Sequence, residues 1–356
     1  MEFDAAKPWA LIIEDASIRN PANELVRCIE LLRRESGINQ RSPPVLEALP
    51  SGHAPLIILR YRAEKGNGFS WRLERERLDI EGDSVRGLYN GVFDFLANLG
   101  FCWKTPAIEE LPRKGGNTAH IYALAEDHGY GNSTADVYSR RRLLFNKQSV
   151  KKWEEWIVWA ARNRIDAVAL PLAINPRGHF FEQINKAVKK YDLTIEAGGW
   201  ELSRLARHSL FLHKEIFRMT DGKRDRSVNF CPTAPETIKV LQKEAKKLFL
   251  RSQNIEVYHF WADRIGKRDV SGGLKNERSN AWCSCPTCRA FTPDEQNRIA
   301  VTAVADVLLS IHPDAKISFY EPFSEMSDIA IRPNLFKVSR LPEASGVEVG
   351  GWLLAT

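Results

Sequence analysis

Asp166-Ala167-Val168-Ala169-Leu170-Pro171-Leu172-Ala173, then the amphipathic stretch Phe180 to Tyr191, then Leu193-Thr194-Ile195-Glu196-Ala197-Gly198-Gly199, decide the fold. The first and third runs are apolar on successive residues, as in a strand covered on both faces. Strands of that kind, separated by a helix, belong to a parallel sheet. The same alternation continues in both directions. Upstream, Tyr138 to Phe145 reads as a strand and Val150 to Arg162 as a helix with a Trp153, Trp156, Ile157 stripe. Downstream, a helix from Ala234 to Leu250 precedes the strand Ile255 to Trp261, and a helix from Pro293 to Ile311 precedes the strand Lys316 to Tyr320. The expectation is an α/β chain with an incomplete (β/α) TIM-type barrel. A full eight-stranded barrel needs about 250 residues, whereas residues 136–356 are fewer and hold long loops at Arg204 to Cys231 and Arg264 to Trp282. No helical pattern follows Tyr320, so either the sheet is open or the chain stops before the barrel closes, leaving a parallel edge exposed.

The residues before the barrel follow another pattern. Trp9 to Glu14 reads as a buried strand, Asn20-Pro21 opens a helix through Arg34 with Leu25, Ile29 and Leu32 on one face, and Gly37 closes it. Pro55 to Tyr61 and Phe69 to Ile80 read as strands joined through Lys65-Gly66-Asn67-Gly68, and a second helix ends near Gly100. This β-α-β-β-α order describes a small α+β domain with helices on one face of an antiparallel sheet. The division is residues 1–112 for this domain, 113–135 for a linker containing Gly115 and Gly116, and 136–356 for the partial barrel. With 356 residues, the chain exceeds the roughly 250 to 300 at which single cores stop growing.

Composition narrows the function classes. The net charge of +6 comes from 51 basic and 45 acidic residues spread along the chain, without the concentrated basic element and interleaved aromatics of a nucleic-acid binder. Nucleic acid is therefore disfavoured as a partner. No apolar run approaches the roughly 18 to 20 residues of a membrane span, and Met1-Glu2-Phe3-Asp4 is acidic where a secretory signal is basic. As written the chain is expected in the cytoplasm, or in a secreted or periplasmic setting if a signal precedes it. The phosphate-binding Gly loop and the Ser nucleophile elbow are both absent from the sequence, which removes the usual support for kinase, dehydrogenase and esterase readings.

The stretch Leu78-Asp79-Ile80-Glu81-Gly82-Asp83-Ser84-Val85-Arg86-Gly87-Leu88-Tyr89, with the exit Leu99-Gly100-Phe101-Cys102-Trp103, resembles the non-catalytic N-terminal domain of family 20 hexosaminidases and family 67 alpha-glucuronidases. Tyr258 to Asp263, the Trp282 to Cys288 run and Ile311-His312-Pro313-Asp314-Ala315-Lys316-Ile317 resemble the bacterial barrel family called domain of unknown function 4838, whose members join the same two domains. In such proteins the barrel continues past the fifth strand, so the resemblance implies a truncated barrel. It also implies a glycoside-hydrolase-like protein whose partner is a carbohydrate. One departure stands out: family 20 enzymes place an Asp-Glu pair at the end of strand four, and here Asp263 is followed by Arg264.

Candidate site residues follow from the strand ends, because barrels of this kind keep their sites at the C-terminal rim. Asp263 ends the fourth strand, Glu321 the fifth, and Glu196 and Glu201 bracket the end of the third. Glycoside cleavage needs two such carboxylates, one to protonate the leaving oxygen and one to act as nucleophile or base. Asp263 and Glu321 are the catalytic candidates. Trp200 is either a stacking platform for a sugar or a ring packed under a loop; Glu201 and His128 are the other substrate-binding candidates, His128 being alternatively a solvated loop residue. His208 and His213, five apart, lack the i, i+4 spacing of a helical metal pair.

Cys283, Cys285 and Cys288 crowd together and either supply three thiolates to a structural zinc, closed by a distant ligand such as Cys231 or His259, or form a loop of reduced thiols with one disulfide. No cofactor is required by the reading, and zinc is the one candidate. Two other functions stay open beside the hydrolase: a non-catalytic carbohydrate-binding or structural remnant, and a zinc-stabilised interaction module.

Overall fold

The computed structural model describes residues 1–48, 55–62, 66–113, 120–124, 130–132, 140–145, 149–171, 178–199, 205, 214–220, 222–224, 230–250, 255–261, 283–320, 332–340 and 343–354. They form two compact units. The first comprises residues 1–137, 149–168 and 184–194, and the second residues 138–148, 169–183 and 195–356.

In the first unit, strands β1 (Ala10–Ile13), β2 (Val45–Leu46), β3 (Leu56–Tyr61), β4 (Phe69–Glu74), β5 (Arg77–Gly82) and β6 (Tyr130–Asn132) make one sheet in the order β6-β4-β5-β3-β1-β2. The sheet carries helices α1 (Arg19–Glu35) and α2 (Val85–Asn98). The expected element order is present, with one refinement. The run Phe69 to Ile80 is a hairpin rather than one strand, so the sheet is mixed: β1, β3 and β5 are parallel, whereas β4 is antiparallel to β5. The cause is legible in the burial. Phe69, Trp71 and Leu73 point inward at odd positions, and Leu78 and Ile80 at even ones. A strand cannot change phase without a turn, and Arg75, at φ 47°, makes it.

Helix α2 is bounded by local chemistry. The Ser84 hydroxyl accepts from the Gly87 amide at 3.1 Å, satisfying one of the free N–H groups of the first turn. At the other end Gly100, at φ +102°, lets its amide reach Ala97 O (2.9 Å) and the Phe101 amide reach Leu96 O (3.0 Å). That paired closure needs a residue at ease in left-handed backbone, which is why the Leu99-Gly100-Phe101 step ends the helix.

Two buried side chains of α2 explain why residues 149–168 and 184–194 belong to this unit. The Arg86 guanidinium donates to Ala161 O at 3.0 Å and Tyr191 O at 3.3 Å, and the Tyr89 hydroxyl donates to Lys190 O at 2.7 Å. These carbonyls lie at the C-terminal ends of helices α3 (Trp153–Arg162) and α4 (His179–Lys190), where unsatisfied oxygens and the helix dipole favour a cation. Beside them, buried Glu24 is shared by Arg27 (3.2 Å), Arg162 (3.8 Å) and the Tyr191 hydroxyl (3.2 Å). Glu109 likewise takes Arg27 (3.0 Å), Arg162 (3.5 Å) and the Trp103 indole (2.8 Å).

The second unit is built on a ring of seven strands in the order β7 (Arg140–Leu144), β8 (Ala167–Leu170), β9 (Thr194–Gly199), β10 (Val257–Trp261), β11 (Lys316–Tyr320), β12 (Arg332–Arg340) and β13 (Glu343–Leu354), closed into a barrel. The first five are the five strands expected from sequence. Beyond Tyr320 the structure departs from the expected open edge: β12 pairs antiparallel with β11, β13 pairs antiparallel with β12, and β13 then runs parallel to β7. A hairpin, rather than further strand–helix units, covers the edge that unpaired strand backbone would otherwise present.

Helices α5 (Pro235–Phe249) and α6 (Pro293–Ile311) cover the outer face of β10 and β11. Leu241, Ala245 and Phe249 of α5 pack with Ala300, Val304 and Leu308 of α6 on Tyr258, Phe260, Ala197 and Ile317. Because alternate residues of a strand face opposite sides, Glu196, His259 and Ser318 point into the barrel. No helix among the described residues is long and apolar enough to cross a membrane.

Candidate functional site

The barrel interior holds a charged group assembled from three strands. Arg142 on β7, Glu196 on β9 and His259 on β10 are all essentially removed from solvent. Arg142 Nε donates to Glu196 Oε2 at 2.8 Å, and His259 Nε2 lies 2.6 Å from the same oxygen, donating its N–H to the carboxylate. Buried charge is tolerated only when paired and hydrogen-bonded, and one carboxylate here fixes the orientation of a guanidinium and an imidazole. Glu196 is therefore not the exposed rim carboxylate expected from sequence. His259 faces Glu196 and is not part of the cysteine group. The signal that could have found the trio is the presence of Arg, Glu and His inside otherwise apolar strands, since a buried polar residue is far more informative than a buried Leu.

Local backbone holds β9 close to β10. Gly198 pairs with His259 in parallel register and has φ +119°; a Cβ there would lie 2.0 Å from His259 O. No other residue type allows this approach, and it sets the spacing at which Glu196 meets His259.

The second constellation is made of sulfur. Cys231, Cys283, Cys285 and Cys288 are all buried, with their Sγ atoms within 4.8 Å of one another. Cys231 stands just before α5, and its amide donates to Ile216 O. The other three precede α6, on a turn braced by buried Gln296. The Gln296 side chain accepts from the Cys283 amide (3.1 Å) and donates to Cys283 O (3.2 Å) and Cys288 O (3.0 Å). The α6 start itself is set by a reciprocal cap between Thr292 and Glu295.

Cys231 Sγ is 3.7 Å from Cys285 Sγ and 3.6 Å from Cys288 Sγ, well beyond the roughly 2.05 Å of a disulfide. The cysteines are free thiols, so the disulfide alternative is not what the structure contains. Hydrogen bonds from Cys283 and Cys288 hold Cys231 below the usual thiol range, against the effect of burial, and Cys283 and Cys288 are pushed up as its donors. The sequence reading found three of these residues and left Cys231 and His259 as alternatives for the fourth; the fold places Cys231 there.

Of the remaining sequence candidates, His128, Trp200, Glu201, Asp263 and Glu321 lie outside the described residues, as do His208, His213 and Arg264. Three of the described strands bear on them. β9, β10 and β11 are neighbours and mutually parallel, so all three end at the same side of the ring. In sequence, Trp200 and Glu201 directly follow Gly199, Asp263 stands two places after Trp261, and Glu321 directly follows Tyr320.

Solved structures with this fold include a family 20 exo-β-N-acetylglucosaminidase from Vibrio harveyi in complex with N-acetylglucosamine (13% identity, TM-score 0.53, covering 90% of this chain and 52% of that one). They also include a β-hexosaminidase of Streptomyces plicatus (14% identity, TM-score 0.54, 90% and 62%) and the family 20 β-N-acetylhexosaminidase of Streptomyces coelicolor A3(2) (14% identity, TM-score 0.53, 91% and 67%). The chain thus spans about half to two thirds of the length of these structures. At this identity the likeness is one of fold alone. No family model matches the chain, so the resemblance to the 4838 family has no support from that comparison. No curated protein matches it.

Proposed function

We propose that the chain is a glycoside-hydrolase-like protein that acts on poly- or oligosaccharides, or descends from one that does. The observation that carries this reading is the common direction of β9, β10 and β11. Three neighbouring parallel strands end on one side, and the sequence supplies a carboxylate within two places of each end: Glu201, Asp263 and Glu321. Asp263 serves as general acid and Glu321 as nucleophile or base, with Trp200 as the stacking surface and Glu201 and His128 as hydroxyl partners. Protonation of the leaving oxygen and attack at the anomeric carbon need two carboxylates on opposite sides of the bond. The buried Arg142–Glu196–His259 group braces two of these strands, β9 and β10, together with β7, from inside the barrel.

A second reading, sugar binding without turnover, is favoured by Arg264. Its position beside Asp263 puts a cation where family 20 enzymes carry a Glu, and a cation stabilises the ionised form, the wrong form for a general acid. The test is hydrolysis of a panel of aryl glycosides and oligosaccharides, with binding measured in parallel. The expected result is turnover that Asp263→Asn lowers by about 10² to 10⁴-fold with binding retained. Binding without turnover selects the second reading, and neither binding nor turnover overturns both.

A further inference from the structure

We infer that Cys231, Cys283, Cys285 and Cys288 form a closed four-thiolate site for a structural zinc ion, joining the start of α5 to the turn before α6. The geometry is the first support. Zinc bound to four thiolates is tetrahedral with Zn–S near 2.3 Å, and the edge of such a tetrahedron is about 3.8 Å. Two separations from Cys231, to Cys288 and Cys285, are 3.6 and 3.7 Å, and all four sulfurs fall within 4.8 Å of one another. A pair of packed thiols can reach such a separation, but four sulfurs all within 4.8 Å of one another match the four corners of one coordination sphere, and no disulfide joins any of them.

The surroundings are the second support. A metal-bound thiolate keeps residual negative charge, which neighbouring N–H groups stabilise. The Met219 amide donates to Cys283 Sγ at 3.2 Å, and the Cys288 amide to Cys285 Sγ at 3.4 Å. The Thr233 hydroxyl lies 3.0 Å from Cys288 Sγ. Arg224, on the short hairpin Met219–Thr220 with Lys223–Arg224, supplies a cation that partly offsets the double negative charge of a zinc tetrathiolate. The third support is burial. With four protein ligands and all four residues enclosed, no coordination position opens to substrate, which marks a structural rather than a catalytic ion.

The site also ties together separate segments. Among the described residues, Met219 and Ala234 pack with the four cysteines as apolar neighbours. Cys231 and the paired strands Met219–Thr220 and Lys223–Arg224 lie more than 50 positions before the 283–291 turn, and the ion would join the two. Binding displaces four thiol protons as four Zn–S bonds form, with no change of oxidation state, so reducing conditions suffice.

The experiment is elemental analysis of the reduced chain purified without chelator, together with cobalt(II) titration of the apo form. About one zinc per chain is expected, with the intense visible absorption of tetrahedral cobalt bound to four sulfurs. Cys231→Ser should lose stoichiometric metal in the presence of a competing chelator, whereas Cys28→Ser should keep it. Cys28 is buried in the first unit, its thiol pushed up to about 12 by burial. If Cys231→Ser does not fold, the cobalt spectrum of the unmodified chain still decides. No zinc above background after reconstitution, a cobalt spectrum without sulfur ligation, or full retention by Cys231→Ser would each overturn the assignment. The test is independent of whether the barrel cleaves sugars.

Discussion

Replacing Glu196 by Ala removes a carboxylate that Arg142 and His259 share inside the barrel. Both hydrogen bonds, at 2.8 and 2.6 Å, are lost together, and all three groups are buried, so solvent cannot take over the charge. Breaking a buried pair by deleting one partner costs about 3 to 5 kcal/mol, most of it the exposure of the remaining charge to a low dielectric. Against a typical total of about 5 to 15 kcal/mol this is a large fraction. At roughly 2 to 4 °C per kcal/mol for a cooperative unit of this size, the melting midpoint should fall by about 6 to 20 °C.

The internal control is Glu256→Ala. Glu256 bonds Lys316 at 2.5 Å at the start of the neighbouring strands, but both side chains are about half exposed, and such a pair is worth at most about 1 kcal/mol. Urea and thermal unfolding, followed by tryptophan fluorescence, measure both variants. A loss under about 1 kcal/mol for Glu196→Ala, equal to that of Glu256→Ala, would refute the argument that the barrel interior depends on this carboxylate.

Arg86→Leu should destabilise the first unit by about 2 to 4 kcal/mol, because it removes two buried charge-assisted hydrogen bonds to helix-end carbonyls, Ala161 O and Tyr191 O; a neutral result in chemical denaturation would remove this role. Glu109 predicts an acid limb. Although burial works to raise its pKa, hydrogen bonds from Arg27 and Trp103 and the charge of Arg162 hold it below the ordinary range. The folded value thus lies below the unfolded one of about 4.3, so the contribution is complete above that pH and disappears as pH falls through the folded value. Glu109→Gln should lower stability at neutral pH and flatten its decline between about pH 4.5 and 3, and an unchanged slope would count against the network.

How much was legible beforehand differs from element to element. The helix Pro293–Ile311 and the strand Lys316–Tyr320 coincide with their sequence-derived limits, because proline, a capping threonine and two-sided apolar runs are local signals that act within a few residues. The hairpin inside Phe69 to Ile80 was missed, since the run reads as one strand unless the change of phase in its apolar alternation is noticed. The cysteine turn could be read from spacing alone as far as Cys283, Cys285 and Cys288.

What the chain alone could not determine depends on residues far apart. Cys231 joins the other thiols across more than 50 positions, and its own surroundings, Phe230-Cys231-Pro232, could not decide between it and His259 as their partner. Glu196 and His259 read separately as a rim acid and a spare ligand, and Arg142 only as part of the strand Tyr138 to Phe145; the strand order β7, β8, β9, β10 turns them into one buried group. The closing hairpin is the extreme case. β13 joins β7 through backbone hydrogen bonds, which every residue type can make. Local composition therefore carries strands and helices, while the ring, its charged interior and its fourth thiol are set by tertiary pairing.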